Sequence, residues 1–278
     1  MANITASEIN KLRQITGAGM MDCKKALVEA DGDYDKAIEY LRKKGQKLAS
    51  TKADRNANEG IVLCKTNPDN SAAVIIMLNC ETDFVARNQE FIDFANEIVD
   101  YAIANKTQTL EQILDAEIKG RKLMDRITDY IGKIGEKIVL AHYYYLTAPY
   151  CAAYNHNGNR IGTIVTFNKK DTVYIEEITK NIAMQITAMN PVAVDKSDVS
   201  PQVVEREIEI GKEQARQEGK PEAMLEKIAI GKLEKFYKES TLLNQEYIKE
   251  SKMTVRQYIA QADKDLVVNE FRRLQLGA

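Results

Sequence analysis

The sequence predicts an α+β fold, with a small helical unit ahead of a duplicated core of antiparallel sheets, each covered by helices on one face. Three observations carry this reading. The first 45 residues repeat a helical apolar spacing that glycine interrupts at Gly17, Gly32 and Gly45. The middle of the chain shows the pattern strand–turn–strand–helix twice. Residues 201–238 then read as two amphipathic arms around Gly219-Lys220-Pro221, a projecting antiparallel helical hairpin of coiled-coil character.

Thr5-Ala6-Ser7-Glu8 has the spacing of a capping box, and the helix that it opens carries Ile9, Leu12 and Ile15. A second helix, from about Met20, carries Cys23, Ala26, Leu27 and Ala30. A third starts at Asp33, carries Ala37, Ile38 and Leu41, and is expected to end with Arg42-Lys43-Lys44 before Gly45. So short a unit makes a thin core, and Met20 and Met21 cannot both point into it from one helix. Either one of them is exposed as an adaptable contact, or both cover the core. Residues 46–60 lack a sustained apolar stripe and read as a basic polar linker.

In the first core copy, 61–146, Ile61–Lys65 and Ala72–Leu78 are strands around Asn67-Pro68-Asp69-Asn70, and a helix follows with the stripe Phe91, Phe94, Ala95, Ile98, Val99, Ala102. Leu110–Ile134 reads as helical and Ile138–Leu146 as a strand. In the second copy, 147–278, Cys151–Asn155 and Ile161–Phe167 flank a turn with Asn157-Gly158, a strong hairpin signal. Its helix carries Ile175, Ile178, Ile182, Ala183 and Ile186 and ends near Asn190-Pro191; the 201–238 hairpin is an insertion, and Leu266–Leu274 is a last strand.

Between the first copy's strand and helix stands Asn79-Cys80-Glu81-Thr82-Asp83-Phe84-Val85-Ala86. An acid and a bulky aromatic sit side by side there, and Phe84 is out of phase with the buried stripe that follows. Two readings stand: Asp83 caps a short turn while Phe84 seals the sheet edge, or the pair probes another protein's polar site. At the matching place the second copy has Lys169-Lys170-Asp171, which reads as an ordinary polar turn.

Composition narrows the function class. The 278 residues hold 39 Lys and Arg against 41 Asp and Glu, a net charge of −2, so no global basic field drives nucleic-acid binding. No stretch approaches about 18 uninterrupted apolar residues, and the N-terminal segment has neither basic patch nor apolar run, so neither a membrane span nor a signal peptide is expected and the chain is read as cytoplasmic. Cys23, Cys64, Cys80 and Cys151 are scattered, with no spacing for zinc or for a disulfide framework. His142 lies in a strand pattern, where packing is the plain reading, and His156 lies at a hairpin tip. No nucleophile elbow, phosphate-cradling loop or metal-spaced cluster is present, so no cofactor, metal or catalytic residue is expected, and a binding protein is favoured over an enzyme. A cysteine enzyme built on Cys80 is disfavoured, because Glu81 and Asp83 beside it would raise the thiol's pKa.

Four segments carry a resemblance: Arg13–Ala26 with Gly17-Ala18-Gly19-Met20-Met21, Asn79–Ala86, Asn155–Gly162 and Gly219-Lys220-Pro221. In this order along essentially the whole chain, they are similar to the bacterial elongation factor Ts family. The resemblance implies a guanine-nucleotide exchange factor that binds elongation factor Tu, GDP-bound and nucleotide-free, and releases GDP without covalent chemistry. It implies a ubiquitin-associated-like N-terminal domain, partner binding with magnesium dislocation at Thr82, Asp83, Phe84 and Val85, and partner binding at Arg13, Met20, Met21 and His156. Self-association through the helical hairpin, in a two-to-two complex, stays open, as does the alternative of an interaction adaptor without exchange activity. Some members of that family continue after the last core strand into a C-terminal helical module that has no counterpart after Leu274 here.

Overall fold

The computed structural model describes residues 4–156 and 158–277. Helix and strand are mixed along the chain, as in an α+β protein. The chain divides into two compact units, Met1–Leu63 with Ile76–Tyr144 and Gln275–Ala278, and Cys64–Ile75 with Tyr145–Leu274.

Three helices come first. Helix α1 (Ala6–Thr16) starts with the expected capping box, Thr5 accepting from the Glu8 amide while the Glu8 carboxylate accepts from the Thr5 amide at 2.8 Å. It closes on Gly17 at φ 67°, a left-handed residue that glycine adopts without strain. Helix α2 (Met20–Glu29) buries Cys23, Ala26 and Leu27 against Ile9 and Leu12 of α1 and against Ala37 of the third helix. Helix α3 (Tyr34–Thr51) does not stop at Gly45 as expected but runs on for six residues. The reason is tertiary. Gly45 lies against a later helix, α7 (Leu123–Ile134), where a Cβ would stand 3.1 Å from the Thr128 carbonyl oxygen and 3.7 Å from Gly132 Cα. Gly45 is therefore a close-approach residue and not a cap, and the first part of the expected linker is rigid helix.

Strands β1 (Glu59–Thr66) and β2 (Ala72–Cys80) follow, then the one-turn helix α4 (Asp83–Ala86) and α5 (Gln89–Asn105). The buried face of α5 is the stripe read from the sequence, Phe91, Phe94, Ala95, Ile98, Val99 and Ala102. The stretch expected to be helical over Leu110–Ile134 is broken. Helix α6 (Leu110–Asp115) gives way to a hairpin of β3 (Glu117–Ile118) and β4 (Arg121–Lys122) before α7 (Leu123–Ile134). Lys119 and Gly120 at φ 54° and 76° make its tight turn.

Strand β5 (Val139–Thr147) adds to the first sheet in the order β1-β2-β5. His142 on this strand is exposed rather than packed inward. The second copy has β6 (Tyr150–Asn155) and β7 (Ile161–Phe167), paired antiparallel, then α8 (Ile175–Met189), capped by the left-handed Asn190. Asn157 of the expected turn lies outside the described residues; Gly158 and Asn159 both have positive φ.

Helices α9 (Pro201–Gln217) and α10 (Glu222–Ser240) run antiparallel, as the ion pairs Lys212–Glu226 and Arg216–Glu222 show, and Gly211 packs on Ala229. After β8 (Glu246–Tyr247), β9 (Glu250–Thr254) and α11 (Val255–Ala262), the last strand β10 (Val268–Gln275) completes a sheet ordered β10-β7-β6. In both copies, then, a third strand joins the second strand of the pair. At the second strand–helix junction Lys170 and Asp171 are exposed in a non-helical turn, and beyond them Val173 and Tyr174 are 71% and 78% exposed, Tyr174 at φ 59°.

Candidate functional site

The junction between β2 and α5 is built as a rigid stub. Strand β2 is buried along its whole length, so Cys80 ends on a fixed base. Thr82 is the N-cap of α4, its hydroxyl oxygen 3.5 Å from the Val85 amide. The cap is thus Thr82 and not Asp83, which stands at the first helical position and pairs with Arg87 at 3.0 Å. Six residues after Thr82 a new cap, Asn88, restarts the chain as α5. This interruption rotates Phe84 out of the α5 stripe. Phe84 is 84% exposed, the most exposed of the chain's large apolar side chains among the described residues, so it seals no sheet edge. Thr82, Asp83 and Val85 around it are half-buried.

Two glutamates clasp this stub to the loop between α7 and β5. One Glu136 carboxylate oxygen accepts from the backbone amides of Glu81 and Thr82, at 3.1 and 3.0 Å, and the other from the Thr82 hydroxyl at 2.6 Å. In return Glu81 accepts from the Lys137 amide at 2.6 Å and pairs with Arg55 at 3.1 Å and Lys52 at 3.5 Å. The Lys137 amide chiefly, with those two cations, holds the Glu81 carboxyl below its ordinary pKa. The sequence reading missed Glu136. Its partners lie 54 and 55 positions away, and no local signal connects them.

Cys80 is fully buried, its thiol 3.2 Å from the Thr82 carbonyl oxygen, and its pKa is pushed up to about 12. Burial is the main cause and the Glu136 charge comes second; Glu81 and Asp83, expected to do this, are not the groups that act. Burial likewise raises the thiols of Cys23, Cys64 and Cys151. No group of three or more His, Cys, Asp or Glu among the described residues is arranged to hold a metal ion.

The N-terminal candidates lie in the same unit. Arg13 is exposed on α1, and Met20 and Met21 are 50% and 74% exposed at the start of α2. Both methionines face solvent because Cys23, Ala26 and Leu27 already fill the small core. A surface pocket of about 410 Å³ joins the two regions, lined by Arg13 and Gly17–Met20 together with Asn88, Glu90, Phe91, Tyr130, Lys133 and Ile134. The structure therefore brings Met20 up to the first residues of α5, directly after the stub that carries Phe84. Lys133 pairs with Glu90, and its side chain fills the space beside Gly17, where a Cβ would come within 2.9 Å of Nζ. His156 belongs to the other unit; it is exposed at the β6–β7 turn, Nδ1 3.3 Å from the Tyr154 hydroxyl.

The family model for elongation factor Ts matches residues 81–278, which start at the stub. The chain is 50% identical to elongation factor Ts of Christiangramia forsetii over 277 residues, covering 100% of both chains. It is 49% identical to that of Amoebophilus asiaticus over 275 residues, 99% of each, and 47% to that of Flavobacterium psychrophilum over 277, 100% of each. The chain belongs to the elongation factor Ts family. Membership makes it a translation elongation factor. No helix among the described residues is long and apolar enough to cross a membrane.

Proposed function

We propose that the chain is the guanine-nucleotide exchange factor of elongation factor Tu, binding it with GDP and in the nucleotide-free state and releasing GDP without covalent chemistry. The observation that carries this reading is Phe84, a large apolar side chain held in solvent on a stub braced from two sides. Scattered exposed apolar residues are normal on any protein surface. An exposed phenylalanine on a stub pinned to one carboxylate by two backbone amides and a hydroxyl is a different case. That geometry suits a wedge that must hold its direction while it displaces part of a partner.

On this reading Phe84 presses on the partner's nucleotide pocket, and Thr82 and Val85 shape the contact. Magnesium tolerates only near-ideal octahedral oxygen geometry, so a shift of about an ångström in the partner's metal ligands weakens its hold on metal and nucleotide together. Asp83 adds a negative charge beside the phosphates. Exchange is then a negative coupling between two ligands of one partner, equal in both directions. Residues 1–45, a ubiquitin-associated-like unit, dock elongation factor Tu through Arg13, Met20 and Met21. Beyond 46–60, the sub-domains 61–146 and 147–278 carry the probe and the His156 contact. The hairpin at 201–238 leaves Ile210, Met224 and Ile230 exposed, and self-association into a two-to-two complex would run through it. The location of this work is the cytoplasm, and neither nucleic acid nor membrane is bound.

Release of labelled GDP from elongation factor Tu tests the reading, with this chain added at a small fraction of the partner's concentration. Turnover beyond one GDP per added chain supports exchange; binding without accelerated release would make the chain an adaptor.

A further inference from the structure

We infer that Glu136 is the positioning residue of the exchange probe: it sets the direction of Phe84 without touching the partner. The inference rests on the reading above that Asp83 and Phe84 act on elongation factor Tu.

Helix α4 is a single turn, and a helix so short does not hold in water by its own hydrogen bonds. Its orientation must come from outside. The amides of Glu81 and Thr82 precede its first turn, and both donate to one Glu136 oxygen. Glu136 also decides how Thr82 caps. The Thr82 hydroxyl donates its own proton to the second Glu136 oxygen at 2.6 Å. With that proton committed, the lone pairs of the hydroxyl are left for the Val85 amide. One side chain thus fixes two backbone amides and the rotor of the cap, and the capped turn carries Phe84. Glu136 is itself held, since the next residue, Lys137, donates through its amide to Glu81 and through Nζ to the Ala53 and Arg55 carbonyl oxygens at 2.6 and 2.9 Å. A glutamine at 136 would keep one acceptor oxygen for the two amides but lose the charge and replace the other oxygen with a donor, so the Thr82 hydroxyl would have to turn from donor to acceptor and the cap would be reset.

The test compares wild type, Glu136→Gln, Phe84→Ala and the double variant in stimulated GDP release, with amide hydrogen exchange on each free protein. Glu136→Gln should lower the maximal release rate by about ten- to hundredfold, the loss expected when a functional group is misplaced by about an ångström. The concentration for half-maximal stimulation should change little, because the docking surface is intact. The amides of Glu81 and Thr82 should lose protection. In the Phe84→Ala background the same substitution should cost nothing further, since residues acting as one unit are not additive. Full stimulation by Glu136→Gln, or a loss that multiplies with that of Phe84→Ala, would overturn the inference. Should Glu136→Gln not fold, Glu136→Asp, which keeps the charge but falls one methylene short, replaces it with the same expected results. A wild-type chain that releases no GDP would refute the exchange reading itself, and hydrogen exchange would still show whether Glu136 holds the stub.

Discussion

Replacing Phe84 by alanine separates a probe from a packing residue most cleanly. Full burial of a phenylalanine side chain is worth up to about 3 kcal/mol, and truncating a buried one costs about 3–5 kcal/mol. Phe84 is 84% exposed, so only about a sixth of that transfer term is in play, roughly 0.5 kcal/mol. Alanine's better helix propensity on α4 returns a few tenths of a kcal/mol of it. For a chain of this size the melting midpoint should then move by about 1 °C. On the proposed function, stimulated GDP release should fall steeply, because Phe84 is the side chain assigned to reach the partner. The assay pairs a thermal melt with stopped-flow release of fluorescent GDP from elongation factor Tu. A midpoint lowered by about 5 °C or more, or a release rate left unchanged, would refute the argument.

Three further outcomes follow from the geometry. Gly132→Ala should lower the melting midpoint, since its new Cβ would stand 3.1 Å from Gly45 Cα, whereas Gly231→Ala on α10, with nothing within 4 Å, should raise it by the helix-propensity gain of about 1 kcal/mol; differential scanning calorimetry reads both signs, and a stabilised Gly132→Ala would show that the α3–α7 crossing has slack. Asp263, held by Lys169 at 2.8 Å with help from the Asp265 amide and Thr172, has a pKa lowered to about 2. Its folded value lies below the ordinary one near 4, so its contribution is complete above about pH 4 and is lost as pH falls toward 2. Acid unfolding of wild type and Asp263→Asn should therefore converge at low pH, and curves that stay equally far apart would contradict the assignment. Excess Mg²⁺ should reduce the fold-stimulation of GDP release, because the metal and the factor favour different states of the partner; stimulation that stays flat across a magnesium titration would remove metal displacement from the reading.

What the sequence made legible was local. The Thr5–Glu8 capping box, the left-handed stop at Gly17, the α5 stripe and the end of α8 at Asn190 each depend on residues within a few positions of one another. The misplacements share the opposite cause. Gly45 looks like a helix stop until α7 is packed against it, and only then does it become the one residue small enough for the crossing. Met20 could not be assigned to core or surface from spacing, because its fate depends on how completely Cys23, Ala26 and Leu27 fill a small interior. The β3–β4 hairpin announced itself only through Lys119-Gly120, a weak signal inside an otherwise helical pattern. At the site, the odd residue Phe84 was visible from its phase, while the Glu136 brace that gives it direction was not.

The duplication shows why one junction and not the other reads as a probe. Both copies pin the end of the second strand through a threonine hydroxyl on a carboxylate, Thr82 on Glu136 and Thr172 on Asp263 at 2.8 Å. Both then expose an aromatic side chain, Phe84 and Tyr174. They differ in what the clasping carboxylate holds. Glu136 takes two main-chain amides of the first junction, whereas Asp263 holds the second through side chains, Thr172 and Lys169, and spends its remaining oxygen on the Asp265 amide of its own loop. The first junction also inserts α4 before the long helix, while the second passes through a left-handed Tyr174 straight into α8. A side chain transmits force in a defined direction only if the backbone beneath it resists, and main-chain bonds resist better than side-chain rotors with their own freedom to turn. On the proposed function that difference would suit the first copy's aromatic to pushing on a partner, whereas the second junction's own main-chain bond, from the Asn168 amide to the Val267 carbonyl oxygen at 3.1 Å, lies six residues before Tyr174.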